Sequence, residues 1–482
     1  MVAKALLTNS QMSFVENQAI KSGKKSTELM ENAGTAVVKL ILKRYKNRNI
    51  SVLCGPGKNG GDGFVVARLL KEQGWNVRLG LTSSQKDKDS IEKAELWKGN
   101  IEPLNESLLY GNPIIIDAMF GAGLKRKLTG IPLALVTKIN NKKLDCIAID
   151  IPSGIDGDSG KILGDAPKCK LTITFFCAKP GHFLMPSKSK VGEVIIEDIG
   201  ISNSFLKQIN VKTFLNTPEL WKKKFPIPTY DTHKYKRGHL LIAGAANMTG
   251  ATHLASSSAR RIGAGVVTIG APSSSCDIYK LGAFGHIVLP INNPGDWNNL
   301  LKNYKNTATL IGPGLGKIAF LKDVVIAALN SKKPVILDAD GLNIFKNNPL
   351  QLFHSTNRKH ILTPHEGEFK KLFNFKGNPI SRVSRAAKKS GAIVLLKGSS
   401  TIIAHPNGKI IINDTGKPYL ATAGSGDVLA GIIAGLITQG MNVFEAGCGG
   451  TWIHGRAAEL FGPGLIAEDI PKLIPTILNE II

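Results

Sequence analysis

The chain has little of what a cross-linked or metal-stapled scaffold needs. Its 482 residues include six cysteines: Cys54, Cys146, Cys169, Cys177, Cys276 and Cys448. None belongs to a C-x-x-C pair and none stands at zinc spacing from a histidine, so a disulfide framework and a zinc knuckle are excluded, and a reducing cytosol fits. Long apolar runs are missing too. No stretch reaches the roughly 20 residues of a membrane span, and the opening MVAKALLTNSQMSF has neither the apolar centre nor the cleavage site of a secretory leader. A soluble, cytoplasmic protein with no membrane partner is expected. Acidic residues are scarce beside basic ones, 36 against 61, for a formal net charge of +25. Clustered cations would suggest nucleic acid, whose phosphates they neutralise. Here the lysines are scattered, the runs KYKRG and LWKKKF fall at a linker-like stretch, and no aromatic-interleaved basic repeat occurs. The charge suits anionic small-molecule substrates or a generally lysine-rich proteome, and no nucleic-acid partner is expected.

What is present is material for two cores. A single core stops growing near roughly 250 to 300 residues, and 43% hydrophobic residues suffice for two. From residue 26, STELMENAGTAVVKLILKRY has helical spacing at Leu29, Ala33, Val37, Leu40 and Ile41, with Ser26 or Thr27 as the cap. Short apolar runs follow: ISVLC, NVRLGL, PIIIDAMFG, CIAIDIPSG, LTITFF and EVIIEDIG. Nearly continuous apolar strands alternating with helices predict a parallel sheet covered on both faces. Between about 201 and 230 the periodicity weakens, and the prolines of KKKFPIPTYDTHK mark a linker. The alternation then resumes with GHLLIAGAA, GVVTIGAP, ATLIGPG, PVILDADG, HILTP and AIVLLKGSSTIIA, and closes in small-residue helices from 425. The expected architecture is α/β in two domains, 1–215 and 225–482, the first a doubly wound sheet.

The stretch GPGKNGGDG at 55–63 lies where ISVLC hands over to the helical pattern FVVARLLKEQG. Ligands of an open parallel sheet bind beyond the carboxyl ends of its strands. Glycines there let backbone N–H groups approach a phosphate and take positive φ. The stretch is neither a P-loop, lacking the Gly-Lys-Ser/Thr ending, nor a Rossmann fingerprint, whose glycine spacing differs. A glycine loop alone is as often structural as functional. Weight comes from oxygen-bearing side chains at other strand ends, Asp117 in IIIDAMFGAG and Asp150 and Ser153 in AIDIPSG, which suit a hard cation beside a phosphate. Asn59 and Asp62 supply the polar wall of the same pocket.

Over about residues 5–205, the segments MENAG, GPGKNGGDG, DAMFGAGL, AIDIPSGIDGDSG and TITFFCAKPGHF occur in this order. They resemble the N-terminal, Rossmann-like domain of the NAD(P)H-hydrate epimerase family. The resemblance implies binding of hydrated NADH or NADPH (NADHX, NADPHX) by Lys58, Asn59, Gly60, Gly61 and Asp62 and by Gly121, Ala122, Gly123, Leu124, Lys125, Arg126 and Lys127. It also implies a potassium ion on Asn59, Asp117 and Ser153, and Asp150 at the reacting ring as both binding and catalytic residue. Lys58 stands where an asparagine is usual and is expected to add backbone contacts or phosphate attraction. Inverting a ring carbon that carries a hydroxyl needs acid-base assistance, which a carboxylate such as Asp150 can give.

In the second half, ATAGSGDVLAGIIAGLITQG at 421–440 places small residues before a helix whose first N–H groups and positive dipole end face phosphate oxygens. Gly-Ser-Gly-Asp alone is more often a capped turn than an active site. Its companions IGPGLG, VILDADGLNIF, ILTPHEGEF, LLKGSSTIIA, NDTGKPYLATAGSGD and TWIHGRAAE resemble the NAD(P)H-hydrate dehydratase family, a ribokinase-like branch, across about 225–482. That resemblance implies adenine nucleotide on Lys397, Gly398, Ser399, Ser400, Thr401 and Gly426, and a hydrate pocket lined by Ala251, Gly314, His365 and Asp427. Asp427 is then the catalytic base, with magnesium on the transferring phosphoryl group and ADP as co-substrate. Gly-Ser-Gly-Asp replaces the usual Gly-Thr-Gly-Asp, and PHEGE the usual Pro-His-Pro-Gly-Glu; hydroxyl and histidine are kept. HEGEF is not a zinc H-E-x-x-H helix, since its fifth residue is Phe369, and His286, His405 and His454 are read as structural.

The expected protein is a cytoplasmic, homo-oligomeric repair enzyme that epimerises hydrated NADH and NADPH and dehydrates the S form, yielding AMP and phosphate. A ribokinase-like small-molecule kinase with an accessory domain is the main rival, opposed by the N-terminal motifs. An RNA-associated scaffold is the other, opposed by the retained glycine, Asp117 and Asp150 set.

Overall fold

The computed structural model describes residues 4–482 apart from 283, 304, 306 and 317. It separates into two compact units, Ala5–Thr213 and Phe214–Ile482, the latter joined by Lys4.

In the first unit, the four central apolar runs are buried at every position, and all six apolar runs become strands. These are β1 (Ile50–Cys54), β2 (Val77–Leu81), β4 (Ile114–Ala118), β5 (Cys146–Ile149), β6 (Leu171–Phe175) and β7 (Glu193–Glu197). A short edge strand, β3 (Ile101–Pro103), is not foreseen from the sequence because it is largely exposed and carries no apolar run. Among the described residues they form a seven-stranded parallel sheet in the order β3-β2-β1-β4-β5-β6-β7. The direction of winding reverses between β1 and β4, so a ligand crevice is expected beyond the carboxyl ends of these two strands. The predicted helix runs over Ser26–Arg44, but its N-cap is Lys25 and neither Ser26 nor Thr27 caps it.

The second unit holds a ten-stranded sheet in the order β11-β10-β9-β12-β13-β14-β15-β16-β17-β8. Its strands are β8 (Thr213–Leu215), β9 (His239–Ala243), β10 (Val266–Ala271), β11 (Ile287–Pro290), β12 (Ala308–Ile311), β13 (Val335–Leu337), β14 (His360–Leu362), β15 (Ile393–Leu396), β16 (Ile402–Ala404) and β17 (Ile410–Ile412). Pairing is parallel from β11 to β15 and antiparallel from β15 to β17. The run AIVLLKGSSTIIA is thus two strands of a hairpin, and its turn is 397–401. The winding reverses between β9 and β12, which sets a second crevice. Helix Ser425–Thr438 is buried at every position from Val428 onward, as a helix apolar all round must be. Gly431 and Gly435 let it lie directly against the backbone of helix Thr249–Arg261: a Cβ on either would overlap Ala255 or Ala259.

The stretch read as a linker is partly built into this unit. Trp221 is 1% exposed, Phe225 is buried, and the Trp221 indole N–H donates to Asn216 Oδ1 at 3.2 Å. Its prolines mask an aromatic anchor. No described helix is long and apolar enough to cross a membrane.

Candidate active sites

The first crevice is a cavity of about 720 Å³ beyond β1, β4 and β5. Lys58, Asn59 and Asp62 line it from the start of helix Lys58–Glu72, residues 121–126 from the turn after β4, and Asp150 from the end of β5. Lys127 is exposed and outside its wall. The glycine-rich stretch is not the loop its composition suggests, for helix begins at Lys58 with Gly57 as an N-cap that makes no side-chain bond. Its glycines adopt no positive φ. They serve close packing instead. A Cβ on Gly60 would run into the Gly55 carbonyl oxygen, one on Gly61 would stand 2.6 Å from Met30 Sδ, and one on Gly63 2.7 Å from Ala118 Cβ. Gly60 and Gly63 therefore hold the helix start against the sheet and Gly61 holds it against helix Ser26–Arg44, and its uncapped N–H groups are what can meet an anion.

Asp150 has φ +66°, a left-handed conformation uncommon for a non-glycine residue. Both of its backbone polar groups are tied down. Its N–H donates to Ile173 O at 2.7 Å, and its carbonyl accepts from His182 Nε2 at 2.8 Å. Lys179 N–H donates to the other ring nitrogen of His182 at 3.0 Å, which fixes that tautomer. The twist aims the carboxylate into the cavity, where Oδ2 accepts from Ala122 N–H at 3.0 Å. Oδ1 is ion-paired with the buried Lys179 ammonium, which also lies 3.1 Å from Thr174 Oγ1. Burial raises the Asp150 carboxyl, but the Lys179 charge, its hydrogen bond and the Ala122 N–H outweigh it and hold the group at about 2. Two other carboxyls on the wall move the opposite way: burial lifts Asp62 well above the usual range and lifts Glu16 as well. The cavity wall therefore holds a carboxylate of depressed pKa with an ammonium beside it. Lys179, His182 and Glu16 were not singled out from the sequence. The first two lie in AKPGH, where a lysine four residues after a strand is the available signal.

Next to this wall, the buried Asp117 carboxylate accepts from Ser153 N–H at 2.7 Å and Ser153 Oγ at 2.6 Å, and Ser153 Oγ accepts from Phe120 N–H at 2.9 Å. Asn59 faces the same turn: a Cβ on Gly121 would lie 3.5 Å from Asn59 Cβ and 3.1 Å from Asp150 Oδ2. Both polar atoms of the Asn59 amide are buried without a partner, an arrangement that costs free energy unless a ligand satisfies it. A carboxylate, a hydroxyl and an orphaned amide oxygen are the hard donors that a potassium ion takes, so these residues fit one.

In the second unit the strand ends bring together Asp338 after β13, His365 after β14 and Lys397 after β15. Lys397 Nζ lies 2.6 Å from Asp338 Oδ1 and faces Gly426, whose Cβ would be 3.3 Å away. Gly426 and Asp427 form the first turn of helix Ser425–Thr438, which has no side-chain cap bond. Its free N–H groups and Lys397 converge on one point. Asp427 is pushed up to about 6, chiefly by burial and then by the Asp338 charge, with Lys397 opposing. Gly314, at φ +68°, sits against Ala251, and the same turn is tied to Asp340, whose Oδ2 accepts from Gly316 N–H at 2.8 Å. His365 is the N-cap of helix Glu366–Leu372, its Nδ1 accepting from Gly367 N–H at 2.9 Å. Residues 398–401 form the partly exposed turn after β15. The buried His454 bonds to Ser425 O at 2.9 Å and is held at about 4 by burial, so it steadies the helix start as a neutral ring. Asp338 and Asp340 were not assigned from the sequence, although VILDADG places them at a strand end. Among the described residues no three His, Cys, Asp or Glu side chains form a metal cage. Magnesium that arrives on nucleotide phosphates and keeps its waters needs none.

Two α/β units, each with a carboxylate of altered acidity beside an uncapped helix start at the strand ends, define a two-site enzyme for phosphate-bearing substrates. A family model described as NAD(P)H-hydrate dehydratase matches residues 239–477, and one described as YjeF-related protein N-terminus matches 26–181. The bifunctional NAD(P)H-hydrate repair enzyme Nnr of Coxiella burnetii is 33% identical over 98% of this chain and 99% of its own. That of Archaeoglobus fulgidus is 32% identical over 97% of each. Among solved structures, a ribokinase-like superfamily protein of Enterococcus faecalis superposes with a TM-score of 0.51 at 22% identity, covering 56% of this chain and 96% of its own. That likeness shows the fold of the second unit. The chain belongs to the family of bifunctional NAD(P)H-hydrate repair enzymes.

Proposed function

We propose that the first unit interconverts the R and S forms of hydrated NADH and NADPH, and that the second dehydrates the S form with ADP, giving NAD(P)H, AMP and phosphate. The observation that carries the first half is the Asp150–Lys179 pair on the cavity wall. The Lys179 ammonium gives a proton to the hydroxyl on carbon six of the ring, the C–O bond breaks, and water departs. The ring nitrogen lone pair forms an iminium ion, which the Asp150 carboxylate, ionised at neutral pH, stabilises across a short distance. Water returns to the opposite face and the proton goes back to Lys179. The uncapped start of helix Lys58–Glu72 and the 121–126 turn are suited to the pyrophosphate. Asn59, Asp117 and Ser153 would hold potassium, which supplies fixed positive charge beside that turn.

In the second unit Asp427 removes the proton of the ring hydroxyl, and the oxygen attacks the terminal phosphoryl group of ADP, displacing AMP. The ring phosphate ester then expels phosphate with loss of the neighbouring C–H proton, restoring the double bond. Lys397 and the N–H groups of 424–426 stabilise charge on the transferring group. Magnesium carried on the nucleotide supplies further charge neutralisation. The raised pKa of Asp427 supports its role as base, because a group that titrates near neutrality can both accept and release a proton. Incubating the protein with hydrated NADH and ADP tests the reading. Recovery of reduced nicotinamide with AMP release is expected, whereas a stable phosphorylated product would establish the kinase reading instead.

A further inference from the structure

The second unit contains a larger cavity, of about 930 Å³, lined by none of Asp338, His365, Lys397 or Asp427. Lys234 and Arg237, from the turn before β9, and Arg260 and Arg261, from the last turn of helix Thr249–Arg261, converge on it. Among the described residues Glu468 is the one carboxylate in its wall, which leaves a surplus of three positive charges with the histidines neutral. The Arg237 Nε–H is buried and has no acceptor among the described residues. Like charges gathered around a concavity repel one another, and a buried donor without an acceptor is costly. Both penalties are removed by an anion.

We propose that this cavity is a second, non-catalytic binding site for an oligophosphate, such as the phosphate chain of a nucleoside diphosphate or of a dinucleotide. A terminal phosphate carries about two negative charges near neutral pH, so a chain of phosphates rather than one phosphate matches the surplus. Three of the four cations are arginines, whose planar fork pairs with two phosphate oxygens at once. The cavity exceeds the 720 Å³ of the first-unit crevice and has room for a nucleoside beside its phosphates. Among the described residues, Phe, Tyr and Trp are absent from its wall, whereas single-stranded nucleic acid needs such stacking platforms.

The test is isothermal titration of the full chain with ADP, repeated with inorganic tripolyphosphate as competitor, on the wild type and on Arg260→Glu/Arg261→Glu. Both arginines are exposed, and the neutral pair Arg260→Gln/Arg261→Gln with a matched circular-dichroism spectrum covers any effect of charge reversal on folding. The expected result is loss of one equivalent of ADP in both variants, with dehydration turnover within twofold of wild type. Displacement of that equivalent by tripolyphosphate supports recognition of the phosphate chain, and failure to displace it overturns the oligophosphate assignment. An unchanged stoichiometry overturns the proposal. So does loss of RNA binding, or of a self-association seen by light scattering, with ADP stoichiometry intact, since the cations would then serve a nucleic acid or a second copy of the chain.

Discussion

Replacing Lys179 by methionine should change the first site in a way that its surroundings specify. Asp150 is held at about 2 instead of the ordinary 3.8, so in the folded protein it contributes roughly 2 kcal/mol of stability. Its folded value is depressed, so that contribution is complete above about pH 4 and disappears as the pH falls toward 2. The strongest influence opposing burial is the Lys179 charge. Without it burial prevails, Asp150 rises above its ordinary value, and the sign reverses. The cost at pH 7 should be about 3 kcal/mol, the low end of the range for breaking a buried ion pair. It should shrink on acidification, where Asp150 can protonate. Thermal unfolding at pH 7 and pH 4.5 reads the stability change, and the rate of R-to-S conversion reads the chemistry: with the proton donor gone it should fall to near the uncatalysed rate. A variant with wild-type unfolding temperature at pH 7 and a wild-type epimerisation rate would refute the assignment of Lys179 as the proton donor and as the partner that keeps Asp150 ionised.

In the same unit, Gly60→Ala should cost about 1 to 3 kcal/mol because its Cβ meets the Gly55 carbonyl, whereas Gly57→Ala, with open space around it, should stay within about 0.5 kcal/mol; chemical denaturation compares them. Potassium chloride should raise the unfolding temperature of the wild type by a few degrees over choline chloride, by mass action on the folded state, and Asn59→Leu should erase the difference. For dehydration, kcat/KM should rise through about pH 6 as Asp427 ionises. Asp338→Asn should move that limb to lower pH, because it removes a raising charge and releases Lys397 to oppose burial.

The double winding of the first unit and the α/β alternation of the second were legible because central parallel strands are buried on both faces and so appear as unbroken apolar runs. The strands that escaped, β3, β8, β11 and β17, are short pieces near sheet edges or following turns, where pattern is weak. Strand-end chemistry was legible in Asp117, Asp150 and Ser153, since short polar residues directly after apolar runs are conspicuous. Lys179 was not, because its role depends on a fold-back that sets it beside a residue 29 positions earlier. The glycines of GPGKNGGDG were misread for a related reason. Composition signals a loop, whereas Gly60, Gly61 and Gly63 lie in a helix packed too closely on its neighbours for a side chain. Asp338 was hidden in the same manner as Lys179, its effect on Asp427 arising only when β13 and helix Ser425–Thr438 meet.

The account stands on two carboxylates in two separate cavities acting in turn on one damaged cofactor. The direct measurement follows recovery of reduced nicotinamide from a mixture of R and S hydrated NADH with ADP, using wild type, Asp150→Asn and Asp427→Asn, against the rate without enzyme. Wild type should recover the whole pool, Asp150→Asn the S portion with the R portion limited to the uncatalysed rate, and Asp427→Asn none while still equilibrating the two forms. Full recovery by Asp427→Asn, or recovery of the R portion by Asp150→Asn at the wild-type rate, would contradict it.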